Sequence, residues 1–257
     1  MNKINRDNAK RWHVRMNNIT RYMFDIDGTL TQARRRMSLA YERKFLNWME
    51  GKSVFFVAGS DLDKVNEQLP IEVIANSDGV FCSMANQFWN RKGLVYENNW
   101  LPDPLLVEQL TSFQMYTSFP VKSKLGGRGK IFEYRPGMLN FTTIGRNANT
   151  AERERYYKWD KKYKERKNIV KQLESDFPDL DFRIGGQISI DIQPKGFNKS
   201  QASKWVRDNL GGQIVYFGDN CQHGGNDYDI SLDVLKHGGT VREVKQPEDT
   251  FNLLTLE

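Results

Sequence analysis

The chain has 257 residues, 39% of them hydrophobic and 27% charged, with a formal net charge of +6. That length and apolar content exclude global disorder and suffice for one large domain, or for a core with a smaller partner. Two cysteines so far apart, Cys82 and Cys221, exclude a disulfide framework, and no apolar run approaches membrane-spanning length.

Residues 1–20 read as a basic N-terminal extension. Trp12, Met16 and Ile19 fall at helical spacing, which permits a short amphipathic helix, but we read the segment as an irregular leader. It carries no apolar core of a secretory signal, so the expected location is cytoplasmic, with both thiols reduced. Tyr22-Met23-Phe24 is a short apolar run ending in Asp25, the pattern of a buried parallel strand. Ser38 to Glu50 follows as a helix with Ser38 as N-cap. Val54 to Ala58 is a second buried strand, closed by Gly59-Ser60-Asp61. Leu62 to Leu69 is a helix stopped by Pro70. Further on, Ile214 to Phe217 is another buried strand, closed by Gly218-Asp219. Strands alternating with helices predict a doubly wound, Rossmann-like α/β core.

The middle of the chain differs. Lys130 to Ile144 predicts two strands joined at Arg135-Pro136-Gly137-Met138. Asn149 to Asp176 predicts one long charged helix, opened by a capping box of Asn149 and Glu152. Ile188, Ile190 and Ile192 alternate with polar residues, as in a half-buried strand. This is an α+β unit, read as a cap at 94–195 inserted into a core made of 21–93 and 196–257.

The chemistry starts at Asp25-Ile26-Asp27-Gly28-Thr29. Side chains alternate along a strand, so Asp25 and Asp27 share a face if the extended conformation persists. Two carboxylates at the carboxyl end of a parallel strand repel unless a cation intervenes, and Mg²⁺ would relieve this while neutralising phosphate oxygens. Asp25 can then attack phosphorus as a nucleophile, and Asp27 can move a proton to or from the substrate oxygen. A Ca²⁺ loop is the competing reading, and the arginines after Gln32 do not fit it. Ser60 ends the second strand, where a hydroxyl and the following N–H groups suit a phosphoryl group; an N-cap at Ser60 or Asp61 would account for it equally. Lys199, after Gly196-Phe197-Asn198, can neutralise phosphoryl charge, though taken alone it reads as a surface lysine. Asp219 and Asp227 complete a candidate metal set with Asp25 and Asp27; ordinary turn chemistry also explains Asp227.

These stations together resemble the haloacid dehalogenase superfamily. Further stretches resemble the eukaryotic-type phosphomannomutases within it. They are Phe24 to Thr31, Gly59 to Asp61 with Lys64 to Leu69, Glu133 to Asn140, and Ile144 to Arg146. Gly185 to Asp191, Phe217 to Asp219 and Gly224 to Asp227 complete the set. The resemblance implies interconversion of mannose 6-phosphate and mannose 1-phosphate through an aspartyl-phosphate, Mg²⁺ as cofactor, a hexose 1,6-bisphosphate primer, and a homodimer formed through the cap. It also implies substrate contacts by Arg34, Arg135, Arg146, Arg153, Ser189 and Asp191. The chain departs from the family at Ser83 to Gln87, where Glu-Asn-Gly is usual, and at Asn198, where Asp is usual. Lys236 lies near the loop that carries a second metal in the family, at Asp233, and the basic leader has no counterpart.

Two other function classes remain at this stage. A Mg²⁺-dependent sugar-phosphate phosphatase would use the same residues with a leakier cap. A nucleic-acid-binding protein is suggested only by the positive charge, and the joint presence of Asp25, Asp27, Lys199 and Asp219 argues against it. No membrane partner is expected.

Overall fold

A computed structural model describes residues 19–120 and 130–255; the expectations for the leader fall outside them, apart from its last two residues. The described residues form two compact units, one of residues 19–97 and 196–255 and one of residues 98–120 and 130–195.

The first unit is built on a seven-stranded sheet. Its strands are β1 (Thr20–Phe24), β2 (Ser53–Val57), β3 (Gly79–Cys82), β4 (Gln87–Asn90), β5 (Gly93–Glu97), β10 (Gln213–Gly218) and β11 (Thr240–Glu243), in the order β11-β10-β1-β2-β3-β4-β5. All pairings up to β3 are parallel, and β4 and β5 are antiparallel additions. β5 belongs to this sheet, so the division between units falls after Glu97 rather than at 94. The central strand is apolar on both faces. Tyr22 and Phe24 join Phe45, Phe56 and Phe217 on one side, and Met23 joins Phe55, Tyr216 and Val206 on the other. Helices cover both faces, which is why a continuous apolar run, rather than an alternating one, marks the strand.

Helix α1 (Leu39–Met49) starts at Ser38, whose hydroxyl accepts from the Tyr41 N–H. Helix α2 (Leu62–Gln68) ends before Pro70, as expected, but Pro70 also opens a second short helix, α3 (Ile71–Ala75). Proline's fixed φ suits a helix entry as well as a stop.

The second unit has a four-stranded antiparallel sheet, β6 (Phe132–Arg135), β7 (Met138–Phe141), β9 (Ser189–Pro194) and β8 (Leu180–Gly185), in that order. Among the described residues three helices belong to it: α4 (Pro104–Met115), α5 (Thr150–Tyr163) and α6 (Glu165–Asp176). The Asn149–Glu152 capping box is present. The single helix expected over 149–176 is, however, broken at Lys164, which sits at φ +58°. Buried Arg166 causes the break. Its N–H and Nε both donate to the Asp160 carboxylate at 2.9 Å, and its Nη1 reaches the carbonyls of Gly185, Gly186 and Ser189. A buried guanidinium needs these partners, and satisfying them outweighs the roughly 1–2 kcal/mol of a left-handed residue.

In the first unit the chain continues with α7 (Ser200–Leu210), α8 (Tyr228–Lys236) and α9 (Pro247–Leu253). β1 has β2 on one side and β10 on the other, so the topological switch, where open α/β sheets take ligands beyond the carboxyl ends of the strands, lies between β1 and β10.

Candidate active site

Asp25 follows β1 directly, and its N–H donates to Phe217 O at 2.9 Å, keeping it in register with β10. The extended conformation stops there. The N–H groups of Leu30 and Thr31 turn back to Ile26 O, and Gly28 N donates to Thr31 O at 2.7 Å. Gly28 takes φ +86°, and a Cβ at that position would lie 2.2 Å from Asp219 Oδ2, so the close approach of the two loops requires glycine. The tight turn separates the two aspartates that the sequence placed on one face.

Asp25 is 2% exposed. One carboxylate oxygen accepts from Lys199 Nζ and the other from Thr29 Oγ1 at 3.3 Å. Lys199 is fully buried at the start of α7, and its ammonium also reaches Asp227 Oδ1 at 2.7 Å. Asp227 Oδ1 accepts further from Tyr216 OH at 2.6 Å, and Asp227 Oδ2 from the Asn220 N–H at 3.2 Å. Asp25, Asp219 and Asp227 each offer an oxygen within 4.8 Å of the others. Asp27, expected among the metal ligands, does not join this group with its carboxylate, which accepts at Oδ1 from Arg34 N and Gln68 Nε2, both at 2.7 Å.

Burial pushes the Asp25 carboxyl up to about 7; Lys199 opposes this, while Asp227 and Asp219 add to it. Burial also raises Asp219, with Asp227 contributing. Burial works against the charge on Lys199, but Asp25 and Asp227 outweigh it and hold the ammonium above its ordinary value. For Asp227, burial is outweighed by Lys199 and its hydrogen bonds, and the carboxylate stays ionised. Three carboxylates thus face one ammonium, and two of them are pushed up. An all-carboxylate oxygen set with surplus negative charge fits a hard divalent cation.

Ser60 stands just beyond β2, half-buried. The cap of α2 is Asp61, which accepts from Lys64 N at 3.0 Å, so of the two readings of Ser60 the cap falls to its neighbour. The Ser60 loop rests on the β3–β4 connection, where Ser83, Met84 and Ala85 all have positive φ, at 53°, 59° and 62°. Ser83 N donates to Ser60 O and Met84 N to Ala58 O, while Gln201 Nε2 on α7 donates to Met84 O. This left-handed turn occupies the stretch where the family usually carries Glu-Asn-Gly. Just before α7, Asn198 Oδ1 accepts from Ser200 N at 2.9 Å and from Ser200 Oγ at 2.6 Å. Asp233 is engaged by Arg207 and Ser203. Arg34 is exposed, at φ +59°.

In the second unit, Arg135, Arg146, Ser189 and Asp191 form one polar network on the sheet. Register explains it: Glu133 lies opposite Asn140, and Asn140 opposite Asp191. Glu133 pairs with both Arg135 and Arg146. Arg146 also donates to Asn140 Oδ1 at 2.5 Å and to Ser189 Oγ at 3.4 Å, and Asn140 Nδ2 donates to Asp191 Oδ1 at 2.5 Å. Arg153 joins through Arg146 O and Ala148 O, both at 2.8 Å. Those two carbonyls hold its guanidinium in the first turn of α5, where a cation opposes the helix dipole.

The fold is that of the haloacid dehalogenase-like enzymes. It matches a haloacid dehalogenase-like hydrolase from Bacteroides thetaiotaomicron with TM-score 0.60 at 11% identity, over 93% of this chain and 99% of that one. It matches a trehalose-6-phosphate phosphatase related protein with TM-score 0.53 at 16% identity, over 91% and 96%. Sequence narrows this further. A family model described as eukaryotic phosphomannomutase matches residues 43–256. The chain is 36% identical over 241 residues to a phosphomannomutase of Saccharomyces cerevisiae, covering 92% of this chain and 93% of that protein. It is 35% identical over 242 residues to one of Spinacia oleracea, covering 91% and 93%. The chain belongs to the eukaryotic phosphomannomutase family.

Proposed function

We propose that the chain interconverts mannose 6-phosphate and mannose 1-phosphate, with Asp25 as the phosphoryl carrier. The observation that carries this is buried Asp25, held by Lys199 beside Asp219 and Asp227 at the β1–β10 switch point, in a member of this family. A hexose 1,6-bisphosphate primes the enzyme by phosphorylating Asp25. The Asp25–phosphorus bond then breaks as the free hydroxyl of the sugar monophosphate bonds to phosphorus, and Asp27 takes the hydroxyl proton. The bisphosphate formed returns its other phosphoryl group to Asp25, and Asp27 gives the proton back to the departing sugar oxygen. Lys199 neutralises charge beside the reacting carboxylate, and Ser60 with the N–H groups after it receives phosphoryl oxygens. Asp25, Asp219 and Asp227 would hold Mg²⁺, which supplies neutralisation of the transferring phosphoryl group.

Arg135, Arg146 and Arg153 grip the phosphate that is not reacting, Ser189 and Asp191 bind sugar hydroxyls, and Arg34 is a further contact to the sugar phosphate. The enzyme works as a homodimer through residues 98–195, where exposed Leu101, Leu105, Met115 and Tyr116 offer apolar area for the contact. Among the described residues no helix is long and apolar enough to cross a membrane, and we place the enzyme in the cytoplasm. The deciding experiment follows mannose 1-phosphate with a bisphosphate primer. Mannose 6-phosphate should accumulate with little inorganic phosphate; stoichiometric phosphate release would instead establish a phosphatase.

A further inference from the structure

Gln68, the last residue of α2, is 5% exposed and lies far in sequence from every aspartate of the site. Its Nε2 donates to Asp27 Oδ1 at 2.7 Å and to Thr31 Oγ1 at 3.3 Å. Chemistry assigns the orientation of the amide. Asp27 is an acceptor when ionised, and the Thr31 hydroxyl proton points to Ile26 O at 3.3 Å, so the NH₂ end must face both. The main-chain carbonyl of Gln68 accepts from Met37 N at 2.8 Å. One residue therefore holds the loop at its start, through Asp27 and Thr31, and at its end, through Met37. Val65 and Leu69, both buried, anchor this end of α2 in the core.

The donors on Asp27 are unevenly distributed. The Arg34 N–H donates to Oδ1, the oxygen that Gln68 already occupies. Among the described residues, Oδ2 receives no such donor. An oxygen facing two N–H groups is a poor place for a proton, because the added hydrogen would meet two others. The proton must then be carried on Oδ2.

We infer that Gln68 is a positioning residue for the proton-transferring carboxylate: it fixes the plane of Asp27 and leaves Oδ2 as the oxygen that takes and returns the sugar proton. The inference rests on the proposed role of Asp27 as acid and base. In each half-reaction the sugar O–H proton passes to Oδ2 as the phosphorus–sugar oxygen bond forms and the phosphorus–Asp25 bond breaks, and the reverse step returns it. A sugar oxygen leaves poorly without that proton, whereas p-nitrophenolate leaves without one. The two leaving groups thus separate a proton-delivery role from general support of the fold.

The test uses the full chain with Gln68→Met, which keeps the length of the side chain and loses its donor. The kcat for mannose 1-phosphate isomerisation should fall roughly 10- to 100-fold, within the range that general acid–base catalysis supplies, with KM nearly unchanged. The burst of p-nitrophenolate from p-nitrophenyl phosphate should stay within about twofold, since no proton is delivered in that step. In an Asp27→Ala background, Gln68→Met should cost nothing more. Equal loss on both substrates, or the same loss with and without Asp27, would make Gln68 merely structural and overturn the inference. If Asp27→Ala alone left isomerisation intact, the assignment of Asp27 would fall, and this inference with it. Should Gln68→Met fail to fold, Gln68→Asn, whose amide is too short to reach Oδ1, must give the same substrate-dependent pattern.

Discussion

The two charged networks, around Asp25 in the first unit and around Arg146 in the second, use similar residues under opposite conditions. Lys199 and Asp227 are wholly buried, and Asp25 nearly so. Arg135, Arg146 and Glu133 keep about a third of their side-chain surface in water. Buried charges cannot exchange partners cheaply, because each has given up its hydration and depends on its neighbours. Half-exposed charges can, because water covers the intermediate states. The first network therefore suits a reaction centre that must not reorganise. On the proposed function the second suits a grip that is made and released at every turnover, in which a phosphate would displace Glu133 from the arginines.

The sharpest way to break the contrast is Lys199→Met. It leaves buried carboxylates unbalanced and should destabilise the first unit by about 3–5 kcal/mol, read as a lowered urea midpoint, with no phosphoenzyme formed from labelled bisphosphate. Excess chelator comes next. It should abolish isomerisation, and Mg²⁺ should restore it, because surplus carboxylate charge at the centre would otherwise repel phosphate; full turnover in chelator would refute the metal assignment. In the second network, Arg146→Lys keeps the charge but loses the planar fork. Isomerisation should fall about tenfold or more, while the p-nitrophenolate burst changes by less than about threefold, since that ester has no second phosphate to grip. The smallest effect is expected for Glu133→Gln. Stability should move by less than about 1 kcal/mol, and KM for mannose 1-phosphate should fall because the arginines no longer have an internal carboxylate to leave. A rise in KM would show that Glu133 orients the arginines instead of competing with the substrate.

Much of this was readable from residues that act locally. β1 was visible as Tyr22-Met23-Phe24 because both its faces are buried. The start of α5 was visible because a capping box is completed within four residues. The Pro-Gly turn between β6 and β7 set the register, and counting outward from it would have paired Glu133 with Asn140. What was not readable depends on distant partners. Gln68 meets Asp27 across 41 residues. Tyr216, an ordinary strand tyrosine in sequence, matters only because Asp227 folds back onto it. The break at Lys164 follows from Arg166 reaching carbonyls 19 to 23 residues away. The separation of Asp27 from Asp25 was missed for a different reason. Strand alternation does not extend from Asp25 to Asp27, because the hydrogen bonds of the loop already turn back at Ile26.

The placement of β1 bears on how the molecule is made. Thr20 pairs with Gln213, and the backbone of Thr29, inside the catalytic loop, accepts from the Thr250 hydroxyl at 2.7 Å. During synthesis the first strand and its aspartates leave the ribosome long before these supports exist. The four-stranded sheet of residues 98–195, in contrast, draws on one continuous stretch and can complete its pairing first. Asp25 and Asp27 then wait, unburied, for β10 and Lys199. A ribosome-bound chain stalled before Gln213 emerges should therefore protect residues 132–194 from protease, yet accept no phosphoryl group.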